Sequence, residues 1–91
     1  MKYSVETTRR FDREFKKLDK TVQKFISVWM KNNLVDCDDP RHQGKAPKEK
    51  LKGFWRYRVG NYRIICDIQD KKLVILALSV GHRKEIYKHK K

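Results

Sequence analysis

The segment WRYRVGNYRIIC, residues 55–66, decides the fold of this chain. Its first five residues alternate between large apolar side chains and arginines, which is the period-two pattern of a β-strand with one buried face. Gly60 and Asn61 then suit a two-residue turn between antiparallel strands. The segment therefore predicts a β-hairpin, with a first strand over residues 55–59 and a returning strand from Tyr62 to Ile68.

Strand alternation predicts that the arginines of this hairpin gather on one face. If the turn has two residues, Val59 lies opposite Tyr62 and Arg58 lies opposite Arg63, and Arg56 shares the face of Arg58. The residues predicted to face the core are Trp55, Tyr57, Val59, Tyr62, Ile64 and Cys66. Like charges directly across a sheet cost up to about 1 kcal/mol relative to neutral pairs. A surface that receives a phosphate tolerates this cost, because a guanidinium can hold two phosphate oxygens. A solvated strand face screened by salt is the alternative.

Upstream of the hairpin, residues 3–6 can form a strand, and two amphipathic helices follow it. Thr7 or Thr8 can cap the first helix, and Asp19 can cap the second. The apolar stripes consist of Phe11, Phe15 and Leu18 in the first helix and Val22, Phe25, Ile26 and Trp29 in the second, with Leu34 near its end. Residues 35–50 are rich in turn-prone residues and lack apolar periodicity, which predicts a loop.

Downstream of the hairpin, residues 69–72 form a predicted turn, and Leu73 to Val80 form a strongly apolar strand that Gly81 ends. Residues 83–87 are a short tail segment. The element order is β-α-α-β-β-β. It predicts an α+β fold, in which an N-terminal strand and a helical hairpin pack on one face of a mainly antiparallel sheet. A chain of 91 residues is long enough for a single domain, which we expect to span residues 1–91.

The positive charge of the chain is concentrated in its second half. The 24 Lys and Arg residues outnumber the 11 Asp and Glu residues, for a formal net charge of +13. Residues 1–40 hold 9 basic and 7 acidic side chains, whereas residues 41–91 hold 15 basic and 4 acidic ones. This asymmetry predicts a polyanionic partner or substrate, and nucleic acid is the most common polyanion in the cytoplasm.

Several other classes of protein do not fit the sequence. No apolar run approaches the roughly 20 residues of a membrane span, and the N-terminus has no apolar segment typical of a signal peptide. We therefore expect a cytoplasmic protein without a membrane partner. Cys37 and Cys66 fit no paired-cysteine metal motif, and the histidines are scattered, so the sequence predicts no metal and no cofactor.

In four stretches the sequence resembles the RelE/ParE toxin superfamily. These stretches are Leu51-Lys52-Gly53, Trp55 to Val59, Asn61 to Ile65, and Ser79 to Tyr87. The last stretch is most similar to the RelE branch. The resemblance covers essentially the whole chain and implies a compact fold like that of the microbial ribonucleases. It also implies cleavage of mRNA in the ribosomal A site and an acidic cognate antitoxin.

The resemblance also implies an active site. The family pattern matches Arg56, Arg58, Arg63, Arg83 and Tyr87 here. RelE toxins often have lysines where this chain has Arg56 and Arg58, and an arginine cannot act as a proton acceptor. Glu49 is similar in position to the glutamate base of the YoeB-type toxins, although a surface ion-pair partner of neighbouring lysines is the alternative. The proton acceptor therefore stays open among Glu49, His82, Tyr87 and a ribosomal group.

The expected activity is a metal-independent endoribonuclease, an mRNA interferase, that inhibits translation. The RNA 2′-hydroxyl would attack its own 3′-phosphate and leave a 2′,3′-cyclic phosphate and a 5′-hydroxyl. One alternative is a ParE-like toxin of the same fold that poisons DNA gyrase, since fold alone does not separate the two. The other alternative is a nucleic-acid-binding module without catalysis.

Overall fold

A computed structural model describes residues 1–45 and 53–82 of the chain. Its elements are β1 (Ser4–Thr7), α1 (Arg9–Lys16), α2 (Lys20–Asn33), β2 (Trp55–Val59), β3 (Tyr62–Gln69), a short 3₁₀ helix (Asp70–Lys72) and β4 (Val74–His82). The strands form one sheet in the order β1-β4-β3-β2. β1 runs parallel to β4, and the other two pairs are antiparallel. The α+β class and the mainly antiparallel sheet are therefore confirmed. Neither α1 nor α2 is long and apolar enough to cross a bilayer.

The two helices begin at the predicted positions. The Thr8 hydroxyl accepts a hydrogen bond from the Phe11 backbone N–H at 3.1 Å, which satisfies one of the orphan donors of the first turn of α1. Asp19 occupies the N-cap of α2, but its side chain makes no capping hydrogen bond. Its backbone carbonyl accepts the Gln23 N–H at 2.8 Å instead. The polar residues at 8 and 19 thus separate two helices that lie over the same face of the sheet.

The core lies between the helices and one face of the sheet. Its buried members are Tyr3, Phe11, Ile26, Met30, Leu34, Tyr57, Val59, Ile64, Cys66, Ile75, Ala77 and Val80. The prediction that Phe25 belongs to the buried stripe of α2 is wrong, because this side chain is 53% exposed. Successive helical residues are rotated by about 100°, and the buried face of α2 is centred on Ile26 and Met30. Phe25 therefore lies at its border, over the turn at Gly60.

Strand β4 continues further than the sequence predicts. Gly81 does not end it, because Gly81 pairs with Arg63 and His82 pairs with Tyr62. The returning strand of the hairpin supplies backbone partners up to its first residue, so the ladder passes through the glycine. The pairing shifts by one residue between Ile65 and Cys66, which leaves Leu78 as the extra residue of a β-bulge in β4.

The bulge is held by the first helix. One carboxylate oxygen of Glu14 accepts hydrogen bonds from the Ser79 hydroxyl at 2.7 Å and from the Val80 backbone N–H at 3.0 Å. Ser79 and Val80 are 1% and 3% exposed, so water does not reach these donors readily. The hydroxyl of Thr8 also donates to the Leu78 carbonyl at 3.1 Å. Helix α1 therefore satisfies backbone groups that the bulge removes from the regular ladder.

Replacing Glu14 by alanine is expected to destabilise the fold by about 1–3 kcal/mol, since it leaves buried donors without an acceptor. Urea unfolding monitored by circular dichroism measures the loss. Glu6→Ala is the matched control, because Glu6 is exposed on β1. Equal losses in the two variants would contradict this account of the bulge.

A candidate phosphate-binding groove

The hairpin has the register that the sequence predicts. Gly60 adopts a positive φ of 61°. The first position of a tight two-residue turn requires such a φ, and glycine adopts it without strain. Val59 pairs with Tyr62, and Arg58 pairs with Arg63. The predicted opposition of the two arginines is confirmed.

The two faces of the hairpin differ in character. Tyr57, Val59, Ile64 and Cys66 are buried in the core. Arg56 and Arg63 are half-buried on the opposite face, and Arg58 is exposed there. Beside them on this face, Ile65 packs with Phe54 and Leu78 in a small separate apolar cluster.

Arg63 carries a polar atom that the fold leaves unsatisfied. Its Nη1 is buried, and no acceptor for it lies within the described parts of the chain. A buried donor without a partner costs free energy that an anionic ligand would recover. The guanidinium of Arg63 is therefore suited to donate a hydrogen bond to a phosphate oxygen.

The three arginines line one groove, which we call the cation groove. Its lining consists of Trp29, Gln43, Gly44, Lys45, Arg56, Arg58 and Arg63, and its volume is about 240 Å³. Trp29 of α2 is the aromatic lining residue, and it packs against Tyr57 with ring centroids 5.6 Å apart. The groove thus combines four cations with an aromatic wall.

Lys45 is a groove residue that the sequence analysis missed. Its backbone N–H donates to the Arg56 carbonyl at 2.9 Å, and its carbonyl accepts the Arg56 N–H at 3.2 Å. Two residues that exchange both hydrogen bonds in an antiparallel pair have their side chains on the same face. This single bridge adds Lys45 to the outer edge of β2. Residue 45 lies in a loop without periodicity, so no sequence pattern could reveal the bridge.

Close packing holds the loop against β2 at this point. The Trp55 indole N–H donates to the Gln43 carbonyl at 2.8 Å. Gly44 has a φ of 89°, and a Cβ atom there would collide with the Arg56 carbonyl and the Trp55 indole nitrogen. Glycine is therefore needed at position 44 for Lys45 to reach its pairing position.

An ion pair anchors the same loop further upstream. Both guanidinium Nη atoms of Arg41 donate to the carboxylate of Asp70, at 3.0 and 3.1 Å. The Tyr3 hydroxyl donates to the same carboxylate at 2.7 Å. The hydrogen bonds from Arg41 and then from Tyr3 lower the pKa of Asp70. The Tyr57 hydroxyl also donates to the Pro40 carbonyl, and burial raises the pKa of this tyrosine, so it stays a neutral donor.

The structure describes only some of the predicted site residues. Glu49, Arg83 and Tyr87 lie outside the described residues. His82 lies edge-on against the ring of Tyr62, with centroids 5.6 Å apart, on the core-facing side of the hairpin rather than on the arginine face. Arg56, Arg58 and Arg63 are brought together in the cation groove.

A protein-family model that matches most of the chain identifies the family to which the chain belongs. The family model described as the ParE toxin of type II toxin–antitoxin systems, parDE, matches residues 5–87. The chain belongs to this family. It is therefore a type II toxin of the RelE/ParE superfamily, as the sequence resemblance predicts.

Individual relatives of this toxin carry RelE-type names. It is 28% identical over 88 residues to Toxin RelG of Mycobacterium tuberculosis, covering 97% of this chain and 99% of that one. It is 28% identical over 88 residues to a putative RelE-like toxin protein of Escherichia coli, covering 91% and 85% of the two chains. The present structure superposes on the crystal structure of the toxin–antitoxin complex RelBE2 from Mycobacterium tuberculosis with a TM-score of 0.81 at 26% identity. The match covers 91% of this chain and 93% of that one. The RelE-like fold is thereby confirmed.

The Arg41–Asp70 pair is expected to stabilise this toxin in a pH-dependent way. Folding lowers the pKa of Asp70. The contribution of the ion pair to the free energy of unfolding is therefore fully present above the ordinary carboxyl pKa of about 3.9, and it is lost as the pH falls through the lowered pKa. Asp70→Asn should lower the urea midpoint at pH 7, and the difference from the unsubstituted toxin should shrink in acid. A difference independent of pH would contradict this assignment.

Proposed function

We propose that this toxin is a ribosome-dependent endoribonuclease that cleaves mRNA in the ribosomal A site and so inhibits translation. In the proposed reaction, the 2′-hydroxyl of one nucleotide attacks its own 3′-phosphate. The single observation that carries the proposal is the convergence of Arg56, Arg58 and Arg63, from two strands, on one groove.

The arrangement of these arginines suits the charge that develops in the reaction. The transition state of phosphodiester cleavage gathers negative charge on the non-bridging phosphate oxygens. Fixed guanidinium groups stabilise such charge, and one well-placed donor typically contributes about 10²–10³-fold in rate. Arg56, Arg58 and Arg63 have this role in the proposal. Arg58 and Arg63 are directly opposed on adjacent strands, and in the proposal their two planar guanidinium groups bind the same phosphate.

The other roles come from the family resemblance. Arg83 would bind the phosphate or assist the leaving oxygen, Tyr87 would orient or stack a base beside the scissile bond, and Glu49 is a candidate proton acceptor. The nucleophile belongs to the RNA itself, so the proposed reaction needs no metal-activated water and no cofactor.

We also propose that the toxin binds a cognate antitoxin in the cytoplasm. The structure from Mycobacterium tuberculosis is described as a toxin–antitoxin complex. The net charge of +13 favours an acidic antitoxin segment that folds on the toxin surface.

A second candidate target is DNA gyrase, because the matching family model is that of the ParE toxins. The two functions differ in their products. A nuclease creates new RNA ends, whereas a gyrase poison stalls DNA replication and leaves mRNA intact. A nucleic-acid-binding module without catalysis would do neither.

Mapping of mRNA ends by primer extension in a translating extract tests the proposal. The toxin is expected to create new 5′ ends within translated codons, and Arg63→Ala or Arg58→Ala should slow cleavage by about 10²–10³-fold. Arg13→Ala is the matched control, since it removes the same charge from an exposed position of α1.

Circular dichroism of each variant separates lost function from lost folding. Full cleavage by both groove variants would contradict the proposed role of the arginines. Absence of new RNA ends with the unsubstituted toxin, together with stalled replication, would favour the gyrase target.

A further inference from the structure

The cation groove contains one cation of a different chemical kind. Among its described lining residues, Lys45 is the single ionisable side chain that can release a proton, since a guanidinium in a protein stays charged. We propose that Lys45 is a catalytic residue, the general acid that protonates the 5′-oxygen as the scissile bond breaks. This inference rests on the proposed nuclease function.

The position of Lys45 follows from its backbone. The reciprocal hydrogen bonds with Arg56 place the two Cα atoms about 5.5 Å apart and their side chains on one face of the sheet. Arg56 is in turn two residues from Arg58, which pairs with Arg63. A phosphate bound between Arg58 and Arg63 therefore lies beside the row that carries Lys45 and Arg56.

Specific contacts of the two preceding residues hold the backbone of Lys45 in this position. Gly44 fits between the Arg56 carbonyl and the Trp55 indole, where a side chain would collide. The Trp55 indole N–H holds the Gln43 carbonyl, and the Gln43 side-chain amide donates to the Asn33 side-chain oxygen at the end of α2. Lys45 thus follows two residues that are each fixed to the body of the protein. Its backbone is positioned, while its flexible stem lets the ammonium follow the leaving group.

The chemistry of the reaction asks for such a group. The 2′-hydroxyl gives its proton to a base as its oxygen attacks phosphorus. The bond between phosphorus and the 5′-oxygen breaks, and its electron pair goes to that oxygen. An alkoxide is a poor leaving group, so a proton delivered to it at this moment lowers the barrier. Lys45 gives one ammonium proton to the 5′-oxygen, becomes a neutral amine, and regains a proton from water. The products are a 2′,3′-cyclic phosphate and a 5′-hydroxyl.

The three arginines and Lys45 therefore divide the work. The guanidinium groups stabilise charge on the non-bridging oxygens without transferring protons. The ammonium of Lys45 serves the bridging oxygen that leaves. Proton transfer by a positioned side chain typically contributes about 10²–10⁴-fold in rate.

A leaving-group substitution separates these two roles. Translating ribosomes are programmed with synthetic mRNA that has either oxygen or sulfur at the bridging 5′ position of the scissile bond. Because a thiol has a pKa of about 8.5, far below that of an alcohol, the sulfur leaves as a thiolate and needs no proton from the toxin. Lys45→Ala should cleave the oxygen mRNA about 10²-fold or more slowly than the unsubstituted toxin, and it should cleave the sulfur mRNA at nearly the same rate as the unsubstituted toxin.

Two further variants sharpen the comparison. Lys45→Arg keeps the positive charge but cannot release a proton, so it should behave like Lys45→Ala on both mRNAs. Arg58→Ala should be slow on both, because its loss concerns the non-bridging oxygens. Lys71→Ala is the matched control, since it removes an exposed ammonium from the turn between β3 and β4. The bridge to Arg56 uses backbone atoms only, so substitutions at position 45 leave it in place.

The outcomes are distinguishable from failure of the proposed function. If the unsubstituted toxin cuts neither mRNA, the nuclease proposal itself fails. If it cuts the oxygen mRNA and Lys45→Arg does so equally fast, Lys45 is not the proton donor. If Lys45→Ala is equally impaired on both mRNAs, its role is not at the leaving oxygen, and the inference is overturned.

Discussion

The opposition of Arg58 and Arg63 across a two-residue turn is the constraint on which the rest of this structure depends. The pairing opposes two positive charges on adjacent strands, which a sheet without a ligand has no reason to prefer. The cost is small beside the burial of the other hairpin face, where Tyr57 and Ile64 are completely inaccessible to solvent. Core packing thus fixes the register, and the register holds the charges together. A polyanion that enters the groove converts their repulsion into binding free energy.

Two features outside the hairpin make this arrangement possible. The bulge at Leu78, held by Glu14, changes the phase of β4 so that both Ala77 and Val80 contribute to the core. The contact of Arg41 with Asp70 holds the segment that precedes Lys45, and Lys45 pairs with Arg56 on the edge strand β2. The groove is therefore assembled from a regular hairpin and an irregular loop. The hairpin supplies permanent charge, and the loop supplies an exchangeable proton.

The predictability of each part follows from its physical origin. The hairpin register could be read from the sequence because strict alternation and a two-residue turn leave one choice of pairing. The bulge could not, because residues 73–80 are apolar almost throughout, so a change of phase leaves no trace in their pattern. The prediction for Phe25 is wrong because a stripe of four apolar residues is wider than the buried face of α2. The sequence predicts a strand end at Gly81, but Gly81 pairs with Arg63 on β3 and the ladder continues past it. The position of Lys45 depends on a single backbone bridge to Arg56, and a single bridge leaves no periodic pattern in the sequence.

Membership of the toxin family gives the class of protein, and the cation groove is the basis of the activity that we propose. Our central claim is that Arg56, Arg58, Arg63 and Lys45 surround one phosphodiester group of mRNA. The most direct measurement is a cryo-electron microscopy structure of the toxin on a ribosome whose A-site mRNA carries 2′-O-methyl groups, which prevent cleavage. The account predicts one mRNA phosphate within hydrogen-bond distance of the guanidinium groups, with the Lys45 ammonium near its 5′-oxygen. Messenger RNA bound to another surface, with the cation groove open to solvent, would contradict it.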